Sequence, residues 1–132
     1  MEIIDSQSRQ QMIDFIAKIS QNSSEKIKKV LEKEKEFQSE GNKHKEKFIS
    51  RQFYLAVDPI ITAEYQRCRI MELTKDKALS APEIAKELKI SPKLTVEHIA
   101  VLRRKNLIKL ENIEGNTPKY LAIPEAESEV KE

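Results

Sequence analysis

"SAPEIAKELKISPKLTVEHIAVLRRKNLIKLENIEGNTPKYLAI" runs from residue 80 to residue 123, and its hydrophobic period changes partway along. Up to Leu102 the apolar residues recur every three or four positions, as on one face of a helix. From Leu107 the pattern shortens towards alternation, as in strands. Ser80 and Glu83 stand at capping-box spacing with Pro82 in the first turn, which predicts a helix start with Ile84, Ala85 and Leu88 facing inward. "ISP" at 90–92 predicts a tight corner, with Ser91 capping a second helix and Pro92 at its first position. That helix should reach about Asn106. "LIKLENIEGNTPKYLAI" at 107–123 then reads as strand, the turn "EGNT", and strand.

Working upstream, "IITAEYQRCRIMELTKD" at 60–76 predicts a helix with Ile61, Tyr65, Cys68, Ile70, Met71 and Leu73 on a wide apolar face. Short helices and a lone hairpin are marginal by themselves, so these elements need one another to close a core. The expected fold class is mainly α, a winged helix-turn-helix domain with a two-stranded β-hairpin wing, preceded by an N-terminal helical region. "DPI" at 58–60 is expected to mark the junction, Asp58 as a cap and Pro59 at a first helical position. The expected organisation is therefore residues 1–58 as a helical region for dimerisation or partner docking, 59–124 as the winged domain, and 125–132 as an acidic tail.

The first region predicts two or three helices. Met12, Ile13, Phe15, Ile16 and Ile19 recur at helical spacing over 6–20. "NSSE" at 22–25 has capping-box spacing, with Asn22 as the cap of a helix to about Ser39 that carries Ile27, Val30, Leu31 and Phe37. "EGN" at 40–42 is a stop signal. A helix over 43–57 carries Phe48, Ile49, Phe53, Tyr54 and Val57. The "EKEKE" run reads as a solvated helix face, with a binding surface or a short helical pairing with a second copy or a partner as the alternatives.

The chain has 132 residues, 24 Lys+Arg, 22 Asp+Glu and a net charge of +2, so bulk charge does not announce a polyanionic partner. Its distribution is uneven: residues 60–124 carry 12 bases and 8 acids, whereas 125–132 carry 1 base and 4 acids. Two glycines speak against a loop-built fold, and the Lys/Glu-rich, Ile-rich composition is one favoured in archaeal and thermophilic chains. Cys68 is the sole cysteine, so no intramolecular disulfide can form. The start "MEIIDSQSRQ" lacks a signal-peptide pattern, and no apolar run approaches bilayer length, which predicts a cytoplasmic location without membrane contact.

"EIAKELKIS" and "HIAVLRRKNLI" carry a resemblance that covers about residues 60–124. The chain resembles winged helix-turn-helix regulators of the arsenical-repressor type, the first stretch matching the positioning helix and turn, the second the family's His-Leu-x-x-Leu…Gly-Leu-Ile ending. Asn106 stands where the family usually has Gly, and Asn tolerates the left-handed conformation. The resemblance implies that the helix from Pro92 presents one face to DNA.

A period of 3.6 sorts that helix. Leu94, Thr95, His98, Ile99, Val101 and Leu102 fall inside; Lys93, Val96, Glu97, Ala100, Arg103 and Arg104 fall outside. The expected DNA-binding residues are Ser91, Lys93, Val96, Glu97, Ala100, Arg103, Arg104 and, on the wing, Lys119. Lys93, Arg103 and Arg104 suit phosphates or guanine edges, Val96 and Ala100 suit thymine methyls, and Glu97 suits a cytosine amino group or an internal pair with Lys93. The expected partner is double-stranded DNA, bound by a homodimer formed through the N-terminal helices. The rival reading is a non-enzymatic winged-helix adaptor that binds a protein partner, favoured by Glu111 and Glu114 at the wing tip and by the fact that Arg103, Arg104 and Lys105 also suit a helix C-terminus.

No catalytic residues, metal or cofactor are expected. His98 falls inside and His44 stands alone; Cys68 suits a core position, with redox sensing or a metal site shared across a dimer as alternatives. Phe48, Phe53 and Tyr54 suit packing of the helix over 43–57 against that over 60–76 or a dimer seam, with an effector pocket as the alternative.

Overall fold

The structure, a computed structural model, describes residues 4–39 and 46–124, with side chains described over 4–34 and 51–124. The expectations for "EGN" at 40–42, for His44, for the side chains of Phe37, Phe48 and Ile49, and for the tail at 125–132 lie outside these residues. The described elements are α1 (Ser6–Ile19), α2 (Gln21–Ser39), α3 (Glu46–Leu73), α4 (Ala81–Leu88), α5 (Pro92–Arg104), β1 (Ile108–Glu114) and β2 (Thr117–Ala122). The chain divides into two compact units, Met1–Tyr65 and Gln66–Glu132.

The first unit is built from α1, α2 and the first part of α3. Asp5 caps α1 by accepting from the Ser8 N–H at 2.8 Å, a contact that lowers its own pKa. A single extended residue, Ser20, ends α1 and starts α2: its N–H donates to the Ile16 carbonyl and its hydroxyl accepts from the Ser23 N–H at 3.1 Å. The cap is therefore Ser20 and not Asn22, which is already helical. Ser20 wins because it is buried where water cannot serve the helix end. Ile16, Ile27, Phe53, Val57 and Ile61 form the apolar centre, and Phe15 meets Tyr65 edge to face at 5.4 Å.

The expected helix junction at 58–60 is absent. α3 runs unbroken from Glu46 to Leu73 with Pro59 in its interior. An interior proline forfeits a backbone hydrogen bond and crowds the preceding turn, at about 3 kcal/mol. Two effects outweigh that cost. Phe53, Val57 and Ile61 are buried on both sides of Pro59, each side chain contributing roughly 1.5–3 kcal/mol only if the helix face is continuous. Asp58, expected as a cap, is instead a buried anchor. Its carboxylate accepts from Arg9 Nε at 2.7 Å, Arg9 Nη2 at 3.0 Å and the Ile4 N–H at 3.1 Å. The Arg9 guanidinium also lies 3.8 Å from the Tyr54 ring centroid and donates to the Ile4 carbonyl. Glu64, likewise buried, accepts from Ser23 Oγ and Lys26 Nζ.

The second unit holds the end of α3, α4, α5 and the hairpin. Its core is Cys68, Ile70, Met71, Ile84, Ala85, Leu88, Ile99, Leu102, Ile108 and Ile123. The capping box at Ser80 and Glu83 forms as expected, both reciprocal bonds present. α4 ends on Lys89 in the left-handed conformation (φ 57°), where a glycine is usual. Ser91 caps α5 by accepting from the Leu94 N–H at 3.0 Å, with Pro92 following. Asn106 turns the chain out of α5 at φ 59°, the role expected of it.

The hairpin turns on Gly115 (φ 61°), at the first position of a two-residue turn where positive φ is needed. Its register slips at Glu111, between Leu110 opposite Tyr120 and Asn112 opposite Lys119. This bulge keeps Leu110 and Ile113 on the same face as Tyr120 and Pro118. The far edge of β2 is also occupied: Leu79 and Tyr120 exchange backbone hydrogen bonds of 3.0 and 2.8 Å.

Candidate nucleic-acid interface

α5 buries one side and exposes the other, as its period requires. Thr95, His98, Ile99 and Leu102 are buried, with Leu94 and Val101 half-buried beside them. Thr95 satisfies its hydroxyl on the Ser91 carbonyl at 2.9 Å. His98 sits between two residues of α3, its Nε2 2.8 Å from Gln66 Oε1 and its Nδ1 3.4 Å from Arg67 Nη1. Arginine can only donate, so Nδ1 accepts and Nε2 carries the proton towards Gln66. This fixes a neutral tautomer and ties α5 to α3, a packing role for His98.

Lys93, Val96, Glu97, Ala100, Arg103 and Arg104 are all exposed, so the sequence sorted this helix correctly. Val96 is 55% exposed, a large apolar side chain left in solvent. The expected alternative of a Lys93–Glu97 pair is absent among the described residues, and no ion pair engages Lys93, Glu97, Arg103 or Arg104 there. Arg103 and Arg104 complement the negative end of the helix, a role that requires no ligand. Lys93 has no such explanation. It stands at the positive end of α5, in a first turn without any acid, where helix electrostatics disfavours a cation.

Ser91 is exposed, but its hydroxyl is spent on the cap. Lys119 is placed differently from a phosphate-seeking wing residue. Its side chain is 20% exposed and its ammonium lies 3.0 Å from Glu114 and 3.3 Å from Glu83, which raises its pKa. It braces the wing against the start of α4. Glu83 is held down to about 2 by the Ser80 N–H, then the Ser80 hydroxyl and Lys119.

Sequence reading passed over Lys89, an exposed base at the turn before α5, because only a glycine would have flagged its left-handed backbone. Cys68 is buried in α3, away from the exposed face of α5. Among the described residues no group of His, Cys, Asp or Glu is arranged to hold a metal, and no helix is long and apolar enough to cross a membrane.

No curated protein sequence matches the chain. Residues 65–109, about a third of its length, match the family model described as bacterial regulatory protein, arsR family. With the helices, turn and two-stranded wing in place, this segment is the helix-turn-helix of a winged-helix domain of the arsR regulator type.

Proposed function

We propose that the chain is a non-enzymatic transcription regulator that acts in the cytoplasm and binds double-stranded DNA as a homodimer, with α5 in the major groove. The observation that carries this reading is the exposed face of α5, on which Lys93, Arg103 and Arg104 have no ion-pair partner among the described residues, in a helix-turn-helix similar to that of a regulator family. α5 has 13 residues and is about 20 Å long, enough to cross a groove about 12 Å wide and bring its ends to the flanking phosphates. Three bases per copy give modest affinity, so two copies are needed, and residues 1–58 supply the helices for pairing. Lys119 stiffens the wing from within.

Binding to random duplex DNA across a salt series tests this. Six neutralised phosphates per dimer give a slope of log affinity against log salt of about −5. Arg103→Ala with Arg104→Ala removes four of them and should leave about −2. A folded dimer with no detectable binding at low salt contradicts the reading. One feature favours the adaptor alternative, in which the winged domain docks on a protein: Leu110 (41% exposed) and Ile113 (60%) share one face of a wing whose tip carries Glu111 and Glu114. A single stoichiometric protein partner with no DNA affinity would support it.

A further inference from the structure

Resting on that DNA reading, we propose that Glu97 sets base specificity by selecting a C·G pair under the middle of α5. The cations of the exposed face lie at its ends. Lys93 and Arg104 are eleven residues apart, about 16 Å along the axis. A helix laid across the major groove therefore meets the two phosphate chains with its ends and the base edges with its middle. The middle of the exposed face is Val96, Glu97 and Ala100, with no cation among them.

Glu97 is exposed and has no ion pair among the described residues, although Lys93 stands one turn earlier. An unneutralised carboxylate on this face weakens binding to every DNA sequence. The loss is offset only where a base presents a donor. An ionised carboxylate accepts and cannot donate. Guanine shows it two acceptors and thymine one, so both repel it. Adenine offers an amino group beside the acceptor N7. Cytosine offers its N4 amino group with no acceptor of its own in the major groove, and is the best match. Val96 and Ala100, one turn apart, form an uncharged shoulder beside the carboxylate that fits a thymine methyl.

The test selects sites from a random duplex library with the full chain, Glu97→Gln and Glu97→Ala, each first shown to be folded by circular dichroism. Single base-pair replacements in the selected sites are then titrated. The wild-type sites should share a C·G pair whose replacement weakens binding about tenfold or more. Glu97→Gln should move the preference at that one position to A·T, because an amide matches the adenine N6 and N7 pair. Glu97→Ala should lose discrimination at that position only, and bind random DNA at least as tightly as wild type. The same selected sites for all three proteins would overturn the assignment while leaving the DNA reading intact. Failure of every protein to bind any duplex at low salt would overturn both.

Discussion

Arg9→Ala should cost the first unit about 3–5 kcal/mol, the range for removing one partner of a buried ion pair. The magnitude follows from what the substitution leaves behind. Arg9 and Asp58 expose 9% and 6% of their side chains. Without the guanidinium, the Asp58 carboxylate keeps a single donor among the described residues, the Ile4 N–H at 3.1 Å. The Ile4 carbonyl loses its bond from Arg9, and Tyr54 loses the cation over its ring. Arg9→Met combined with Asp58→Leu removes the stranded charge and forfeits about 1 kcal/mol for each of the two bonds to Ile4. The double variant should therefore be more stable than Arg9→Ala by at least 1 kcal/mol, roughly. Urea unfolding followed by circular dichroism reads both, since a loss of 3–5 kcal/mol lowers the midpoint by about 2 M at a typical urea dependence. A cost for Arg9→Ala under about 1 kcal/mol, as for a solvated pair, would rule out a buried, desolvated Arg9–Asp58 pair. A double variant destabilised by the sum of the two single changes would rule it out equally, because additivity would mean that the groups do not interact.

Glu83 titrates at about 2, well below the ordinary value of 4.5, so its bonds stabilise the fold above pH 4.5 and are lost as pH falls towards 2. Glu83→Gln should flatten that part of the acid unfolding profile; profiles that coincide would contradict the capping geometry. Tyr54 is pushed up to about 12 by burial and then by its hydrogen bond to Glu34. The folded state holds the phenol proton more tightly, so stability should fall as pH rises from 10 to 12. In an absorbance titration one of the three tyrosines should ionise near 12 and vanish in Tyr54→Phe, and a phenol that titrates near 10 in that role would refute it. Gly115 has a φ of 61° and open space around a would-be Cβ, so its requirement is purely one of backbone. Gly115→Ala should cost about 1–2 kcal/mol in urea unfolding and Gly115→Asn clearly less, whereas equal costs would contradict a left-handed turn.

The sequence was most legible where local chemistry and tertiary packing agree. Ser80 with Glu83, Ser91 with Pro92, Asn106 and the "EGNT" turn all act as their residue types suggest, and the period of α5 separated its buried from its exposed side chains. It failed where a distant partner overrides a local rule. Asp58-Pro59 has the chemistry of a helix start, yet Arg9, 49 residues earlier, holds Asp58 in an unbroken helix. Lys119 has the chemistry of a phosphate ligand, yet Glu83 and Glu114 take its charge. The Glu111 bulge and the Leu79–Tyr120 bridge depend on strand register, which alternation alone does not fix. Lys89 adopts a glycine-like backbone with no residue-type signal.

In the proposed function the exposed face of α5 meets DNA. Amide resonances of the labelled chain, followed during titration with a random duplex at low salt, test it most directly. Shifts and broadening should concentrate from Ser91 to Arg104 and be reversed by added salt, with α1 and α2 changing only as expected for a larger particle. Perturbations confined to the wing around Leu110 and Ile113, or no specific change anywhere in a folded chain, would contradict it.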